Sequence, residues 1–316
     1  MMLDFSGSAR AGTRTFWLGG EDPVVRKDKH KDHPSDYMDL FKADSPWTEA
    51  ASGLTAFKIS TQMVLRGDEG QLQTVMLELK KRHIALAIEM AVLEGNGPGS
   101  CGYHVEGYAS PKTVEAVARK ITKLGGQIDF IAMDEPVWYG HIFQTGSGDR
   151  VGCQLSVEAV AEIAAEKIRL LRQYFPDIQV GDIEPVNARQ GGQQSIDDVI
   201  TFVDLLSKMV QGAPVFVHAD ISWKMDWQPL LEDLATRLHA RGIRVGVIFD
   251  GDADAEGDEA WVHQALERCR AVAADSMINP DDFIVQSWET LPTKMLPESD
   301  PGALTYEARQ VEALFH

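Results

Sequence analysis

Eight short runs of β-branched and aromatic residues, separated by stretches of helical periodicity, constrain this chain more than any other feature. The runs are Thr13–Leu18, Ala56–Ser60, Ile84–Met90, Phe130–Asp134, Gln179–Glu184, Val215–Asp220, Val245–Phe249 and Phe283–Trp288. Amphipathic stretches near 71–82, 112–124, 155–175, 195–210, 227–241 and 258–274 lie between them, and one near 303–314 closes the series. Strands linked by helical crossovers run parallel, and eight such units close into a (β/α)8 barrel. The expectation is an α/β TIM barrel, a single domain over residues 1–316.

A doubly wound open sheet would need a glycine-rich turn leading from its first strand straight into a helix. Trp17-Leu18-Gly19-Gly20 is not such a turn, and Glu21 to Asp36 reads as too charged and too proline-rich for a first helix. A long first βα loop is expected there instead. Further on, Ser110-Pro111 reads as a helix start and Gly125-Gly126 as its end, while Ser195 with Asp197 and Asp198 opens another helix.

With 44% hydrophobic and 25% charged residues the chain has ample material for a core. Its net charge of -18 disfavours nucleic acid and anionic membrane as partners and better suits a neutral or cationic small molecule or a bound divalent cation; the partner expected is a small-molecule or oligosaccharide substrate. Cys101, Cys153 and Cys269 are an odd set without CxxC spacing and read as reduced thiols. No apolar run approaches the roughly 20 residues of a membrane span, and the first residues lack an export pattern. The default compartment is therefore the cytoplasm, or the periplasm or exterior if an export signal has been removed.

In a parallel barrel the strand C-termini converge on one mouth, where residues far apart in sequence become neighbours. Here those ends carry Lys58, Glu89, Asp134-Glu135-Pro136, Asp182-Ile183-Glu184-Pro185, His218-Ala219-Asp220, Asp250 and Gln286-Ser287-Trp288-Glu289. The strand starts, such as Ile128, Val215, Val245 and Phe283, are mostly apolar. Alternation in a strand puts Asp182 with Glu184, and His218 with Asp220, on shared faces expected to point inward. Of the adjacent pair Asp134 and Glu135, Glu135 is expected in the cup, in phase with Ile131 and Met133.

These motifs resemble the glycoside hydrolase superfamily of (β/α)8 barrels. The likeness rests on Asp134-Glu135-Pro136, Glu184-Pro185, the run His218-Ala219-Asp220-Ile221-Ser222-Trp223, and Gln286-Ser287-Trp288-Glu289. Many members place an acid/base Glu after strand four, often as Asn-Glu-Pro, and an aromatic sugar platform after strand eight. The resemblance implies that Glu135 is the acid/base. This chain has Asp134 in place of Asn, and Asp250 where the largest clan has a nucleophilic Glu, so the second carboxylate, Glu184, comes from the strand-end argument alone.

Acetal cleavage needs one protonated acid and one carboxylate, which a crowded acidic cup supplies without a cofactor. Substrate contacts are expected from Lys58, Glu89, Trp138, Tyr139, Asp182, His218, Asp220, Trp223, Asp250, Gln286, Trp288 and Glu289, with Tyr103, His104 and Tyr108 as one wall. His218 reads equally as a buried histidine bonded to backbone. The charged run Lys27 to His33 and the acids Asp252, Asp254, Glu256 and Asp258 read as solvated loops. Two alternatives stand beside hydrolysis or transglycosylation: a sugar isomerase, epimerase or lyase using Mg2+ or Mn2+ on the same acids, and a non-catalytic carbohydrate-binding barrel.

Overall fold

The computed structural model describes residues 14–29, 36–95, 97–146, 149–288 and 290–315. Its strands in chain order are β1 (Thr15–Gly19), β2 (Ala56–Ser60), β3 (Ala85–Met90), β4 (Leu93–Glu94), β5 (Tyr108–Ala109), β6 (Phe130–Asp134), β7 (Gln179–Val186), β8 (Phe216–Ile221), β9 (Arg244–Phe249) and β10 (Asp282–Gln286). All but β4 and β5 form one closed parallel barrel in the order β1-β10-β9-β8-β7-β6-β3-β2. The eight expected strands are these eight, so the fold is a (β/α)8 TIM barrel; β4 and β5 pair with each other in the loop after β3.

The helices are α1 (Pro23–Lys29), α2 (Thr48–Gly53), α3 (Thr61–Arg66), α4 (Glu69–Lys81), α5 (Thr113–Lys123), α6 (Val157–Tyr174), α7 (Gln193–Met209), α8 (Gln228–His239), α9 (Asp258–Ala274) and α10 (Leu304–Ala313). Helix α1 corrects the expectation of an unstructured first loop. Asp22 accepts bonds from the N–H groups of Val24 and Val25 at 2.9 and 3.1 Å, and Pro23 needs no partner at the first helical position. Two boundaries also shift. Pro111 lies in a turn before α5, whose cap is Lys112, and Ser195 is inside α7, two residues past its first residue.

Two buried layers result. The larger lies between strands and helices; the smaller fills the barrel with Trp17, Ala87, Phe130, Ala132, Ile183, Phe216, Ile248 and Ile284. Glycines make room for its rings. A Cβ at Gly181 would lie 2.2 Å from Phe216, and one at Gly246 would lie 2.3 Å from Cδ2 of His218. The barrel floor is not the apolar rim expected from its strand starts. There Asp282, 1% exposed, meets His218 Nε2 at 3.3 Å and the guanidinium of Arg244. Burial pushes the Asp282 pKa up, but His218 and Arg244 outweigh it and hold the carboxyl below its usual range.

Cys101 and Cys153 form a disulfide that joins the loop after β3 to the segment before α6, which overturns the reduced reading for this pair. The two are 52 residues apart in sequence, and only the fold brings their Cα atoms to 4.9 Å. Cys269 is a buried free thiol. No helix among the described residues is long and apolar enough to cross a membrane.

Candidate active site

The C-terminal mouth holds a cavity of about 700 Å³ to which every barrel strand contributes a lining residue: Gly19, Lys58, Glu89, Asp134, Ile183, Asp220, Ile248 and Gln286. All eight alternate in phase with the apolar barrel filling. Loops complete the walls with Glu21, Asp22, Glu106, Tyr108, Glu135, Tyr139 and Trp288.

The adjacent acids Asp134 and Glu135 enter by different routes. Asp134 is in phase with the inward residues Phe130 and Ala132, whereas Ile131 and Met133 face the helices. Both acids line the cavity where only Glu135 was expected, and the phase shared with Ile131 and Met133 points to the helices, not into the cup. Glu135 reaches the cavity nonetheless, because the strand has ended and its backbone turns left-handed, with φ 48°. The turn is held by the Glu135 N–H donating to the Ile183 carbonyl at 3.1 Å and by the Tyr139 N–H donating to the Glu135 carbonyl at 2.9 Å. A non-glycine residue in this region costs on the order of 1–3 kcal/mol and persists only where its surroundings hold it.

Glu135 and Asp220 both line the cavity and act on each other electrostatically. Burial raises the Glu135 pKa well above its usual value, and the charges of Asp220, Asp134, Glu184 and Glu106 add to the shift. Asp220 is raised to about 6, chiefly by burial, with Glu135 and Lys58 pulling it down and Glu89 and Glu106 pushing it up. Of the two, Glu135 holds its proton and Asp220 ionises first. Asp134 is also raised well above its range by burial and by Glu89 and Glu106.

On the opposite wall, Lys58 Nζ lies 2.7 Å from Glu89 Oε2, which also accepts from Gln286 Nε2 at 2.9 Å. Tyr139 donates its hydroxyl to Glu106 at 2.9 Å. Gly107 beside it has φ 77°, and a Cβ there would lie 3.0 Å from the Asp134 carbonyl oxygen, so only glycine lets this loop close on the strand end.

Other expected residues lie elsewhere. Asp182 and Glu184 share a face as expected, but it is the outer one: Ile183 between them points into the barrel. Glu184 accepts the N–H groups of Val137 and Trp138 at 2.6 and 3.0 Å, so it anchors the turn Trp138–Ile142 that follows Glu135. Trp138 is buried in that turn and does not line the cavity. Glu184 and Asp182 are therefore withdrawn as catalytic and substrate-binding candidates. His218 does face inward, beneath Asp220, and packs edge-on to Trp17 and stacked on Phe216. Asp250 accepts from the Trp223 indole at 2.7 Å, and both line a neighbouring cavity of about 280 Å³. Among the third-loop aromatics Tyr108 lines the main cavity, while Tyr103 stacks on His104 away from it. Glu289 lies outside the described residues.

Sequence reasoning missed Glu106, Asp22 and Ser60. Asp22-Pro23 was a readable helix start that would have placed Asp22 at the mouth, where it accepts the Ser60 hydroxyl. Glu106 carried no such signal. Among the described residues, no group of three or more His, Cys, Asp or Glu side chains is arranged to hold a metal ion.

No family model matches the chain, and no curated protein matches it in sequence. Solved structures do resemble it. Native xylanase 10B from Thermotoga maritima superposes with TM-score 0.57 at 10% identity, covering 96% of this chain and 95% of the other. A GH5_18 protein from Streptomyces cattleya in complex with GlcNAc gives 0.56 at 10%, covering 96% and 80%. The carboxyl transferase domain of Rhizobium etli pyruvate carboxylase with pyruvate gives 0.51 at 12%, covering 96% and 47%. At these identities the likeness shows the barrel fold, which glycosidases share with enzymes of other chemistry.

Proposed function

We propose that this barrel is a glycosidase that cleaves glycosidic bonds by carboxyl acid/base chemistry at Glu135 and Asp220. The observation that carries the reading is that Glu135 and Asp220 line one cavity bordered by Trp288, Tyr108 and Tyr139, with burial raising the proton affinity of both acids. Asp220 takes the role first assigned to Glu184. A glycosidic oxygen inserted between the two carboxyls accepts the Glu135 proton as its bond to the anomeric carbon breaks. Asp220, as carboxylate, then faces the positive charge that develops at that carbon, and either attacks it or takes a proton from the incoming water. The ring C–H face packs on Trp288. No cofactor takes part in this scheme.

Turnover of a panel of chromogenic aryl glycosides of both anomeric configurations tests it. Glu135→Gln and Asp220→Asn are expected to lose on the order of 10²-fold or more in kcat while still binding sugar. A loss under tenfold in both variants refutes the assignment. Sugar binding without turnover by the native protein would favour the non-catalytic barrel.

The convergence of Glu89, Asp134, Glu135 and Asp220 keeps the Mg2+- or Mn2+-dependent isomerase, epimerase or lyase as the second reading. Against it, Lys58 already supplies the positive charge at Glu89. Activity that depends on added metal and disappears with chelator would favour it. The Cys101–Cys153 disulfide supports an oxidising compartment, the second of the two locations considered from sequence.

A further inference from the structure

We propose that the Cys101–Cys153 disulfide is a positioning element for substrate: it holds Glu106 and Tyr108 in the cavity wall, and its reduction weakens substrate binding while sparing the chemical step. This rests on the glycosidase reading and adds to that site two residues outside the cavity lining.

The segment between β4 and β5, residues 95–107, is poorly built to hold itself. It contains five glycines, Gly95, Gly97, Gly99, Gly102 and Gly107, and one branched aliphatic residue, Val105. Such a stretch loses much backbone freedom on ordering and buries little apolar surface in return. Yet Glu106 at its end and Tyr108 in β5 line the cavity. The Val105 N–H donates to the Gly102 carbonyl, and the Tyr108 N–H to the Val105 carbonyl, at 3.3 Å each; these turns are internal and do not tie the segment to the barrel. Its links to the loop after β6 are the disulfide, the Gly102 N–H donating to the Val151 carbonyl at 2.8 Å, the Tyr139 hydroxyl donating to Glu106 at 2.9 Å, and an exposed His104–Asp149 contact at 3.9 Å. Of these only the disulfide is covalent.

Each half of the disulfide supports part of the site. Cys101 precedes Gly102, against which the Tyr108 ring rests: a Cβ at Gly102 would lie 2.5 Å from Tyr108 Cδ1. Cys153 follows the bridge between Thr145 and Val151 and leads to Leu155, whose N–H donates at 2.8 Å to the Gly140 carbonyl in the turn that carries Tyr139. The disulfide thus clamps the loop bearing Glu106 and Tyr108 onto the loop bearing Glu135 and Tyr139. The two acids need no clamp, because the Glu135 N–H is held by the Ile183 carbonyl and Asp220 sits in β8 opposite Pro185 of β7. Loss of the clamp loosens the wall and leaves Glu135 and Asp220 in place. Cys101 is exposed, within reach of a dithiol reductant. Exchange breaks the S–S bond and leaves two thiols; the dithiol supplies the two electrons and two protons and closes into its own disulfide.

The native protein is compared before and after dithiothreitol, well below its unfolding temperature, by hydrogen exchange with mass spectrometry and by turnover of an aryl glycoside it cleaves. On reduction, amide exchange over residues 102–109 is expected to accelerate at least about tenfold while the barrel strands keep their protection. KM is expected to rise about fivefold or more with kcat within about twofold, and reoxidation restores both. Cys101→Ser with Cys153→Ser should behave as the reduced protein without reductant; if that variant does not fold, the reduced native protein decides. A disulfide that only stabilises the fold lowers Tm and leaves KM unchanged. That result, a fall in kcat in place of the rise in KM, or exchange over 102–109 that does not change, overturns the proposal and leaves the glycosidase reading standing. A native protein that turns over no glycoside sinks the glycosidase reading instead, and exchange over 102–109 then decides the clamp by itself.

Discussion

Replacing Asp220 with Asn should make the protein more stable at neutral pH while removing its turnover. Asp220 has a folded-state pKa of about 6 against an ordinary 3.8. Between these values the folded protein binds more protons than the unfolded chain, so stability is fully present below the lower value and is lost as pH rises through about 6. At about 1.4 kcal/mol per unit, the cost of holding Asp220 as a carboxylate at pH 8 is at most about 3 kcal/mol. Cavity solvent screens part of it, which leaves roughly 1–3 kcal/mol. Asparagine does not titrate and matches aspartate in shape. With an unfolding entropy of about 2 cal/mol/K per residue, the gain corresponds to a Tm higher by roughly 2–5 °C at pH 8. Thermal and denaturant unfolding from pH 4 to pH 8 measure it, with the two proteins converging at the acid end. A variant less stable than the native protein at pH 8, or a difference that does not change with pH, refutes the burial-raised proton affinity of Asp220.

Further predictions follow from particular contacts. Gly246→Ala places a Cβ 2.3 Å from His218 and 2.8 Å from Ile284, and overpacking of this kind should cost about 1–3 kcal/mol in denaturant titration. Gly125→Ala meets nothing within 4 Å, so it should lose only the smaller cost of its positive φ. Removing the disulfide by Cys101→Ser with Cys153→Ser frees a 52-residue separation, and chain entropy sets the loss at up to about 4 kcal/mol, read as a lowered Tm without reductant. Glu184→Gln weakens the two N–H bonds at Val137 and Trp138 and should lower stability by about 1–2 kcal/mol, with a smaller loss of turnover than Glu135→Gln. An equal loss of turnover would return Glu184 to the chemistry.

By itself the sequence determined the barrel, its eight strands and the clustering of acids at one mouth, because strand count and hydrophobic period are local properties that survive in the linear order. It also determined that Lys58, Glu89, Asp220 and Gln286 would meet, since the ends of parallel strands converge whatever the loops do. Which acid of a strand faces inward was decided only by the tertiary structure. Both faces of a barrel strand are buried, so Phe130 and Ala132 are as apolar as Ile131 and Met133, and alternation carries no sign. Asp182 and Glu184 read as an inward pair for that reason and proved to face the helices. Glu135 depends on a left-handed turn past the strand end, Glu106 on a loop brought over the mouth, and the disulfide on two loops separated by β5, α5 and β6. These are long-range consequences of packing, which no local pattern encodes.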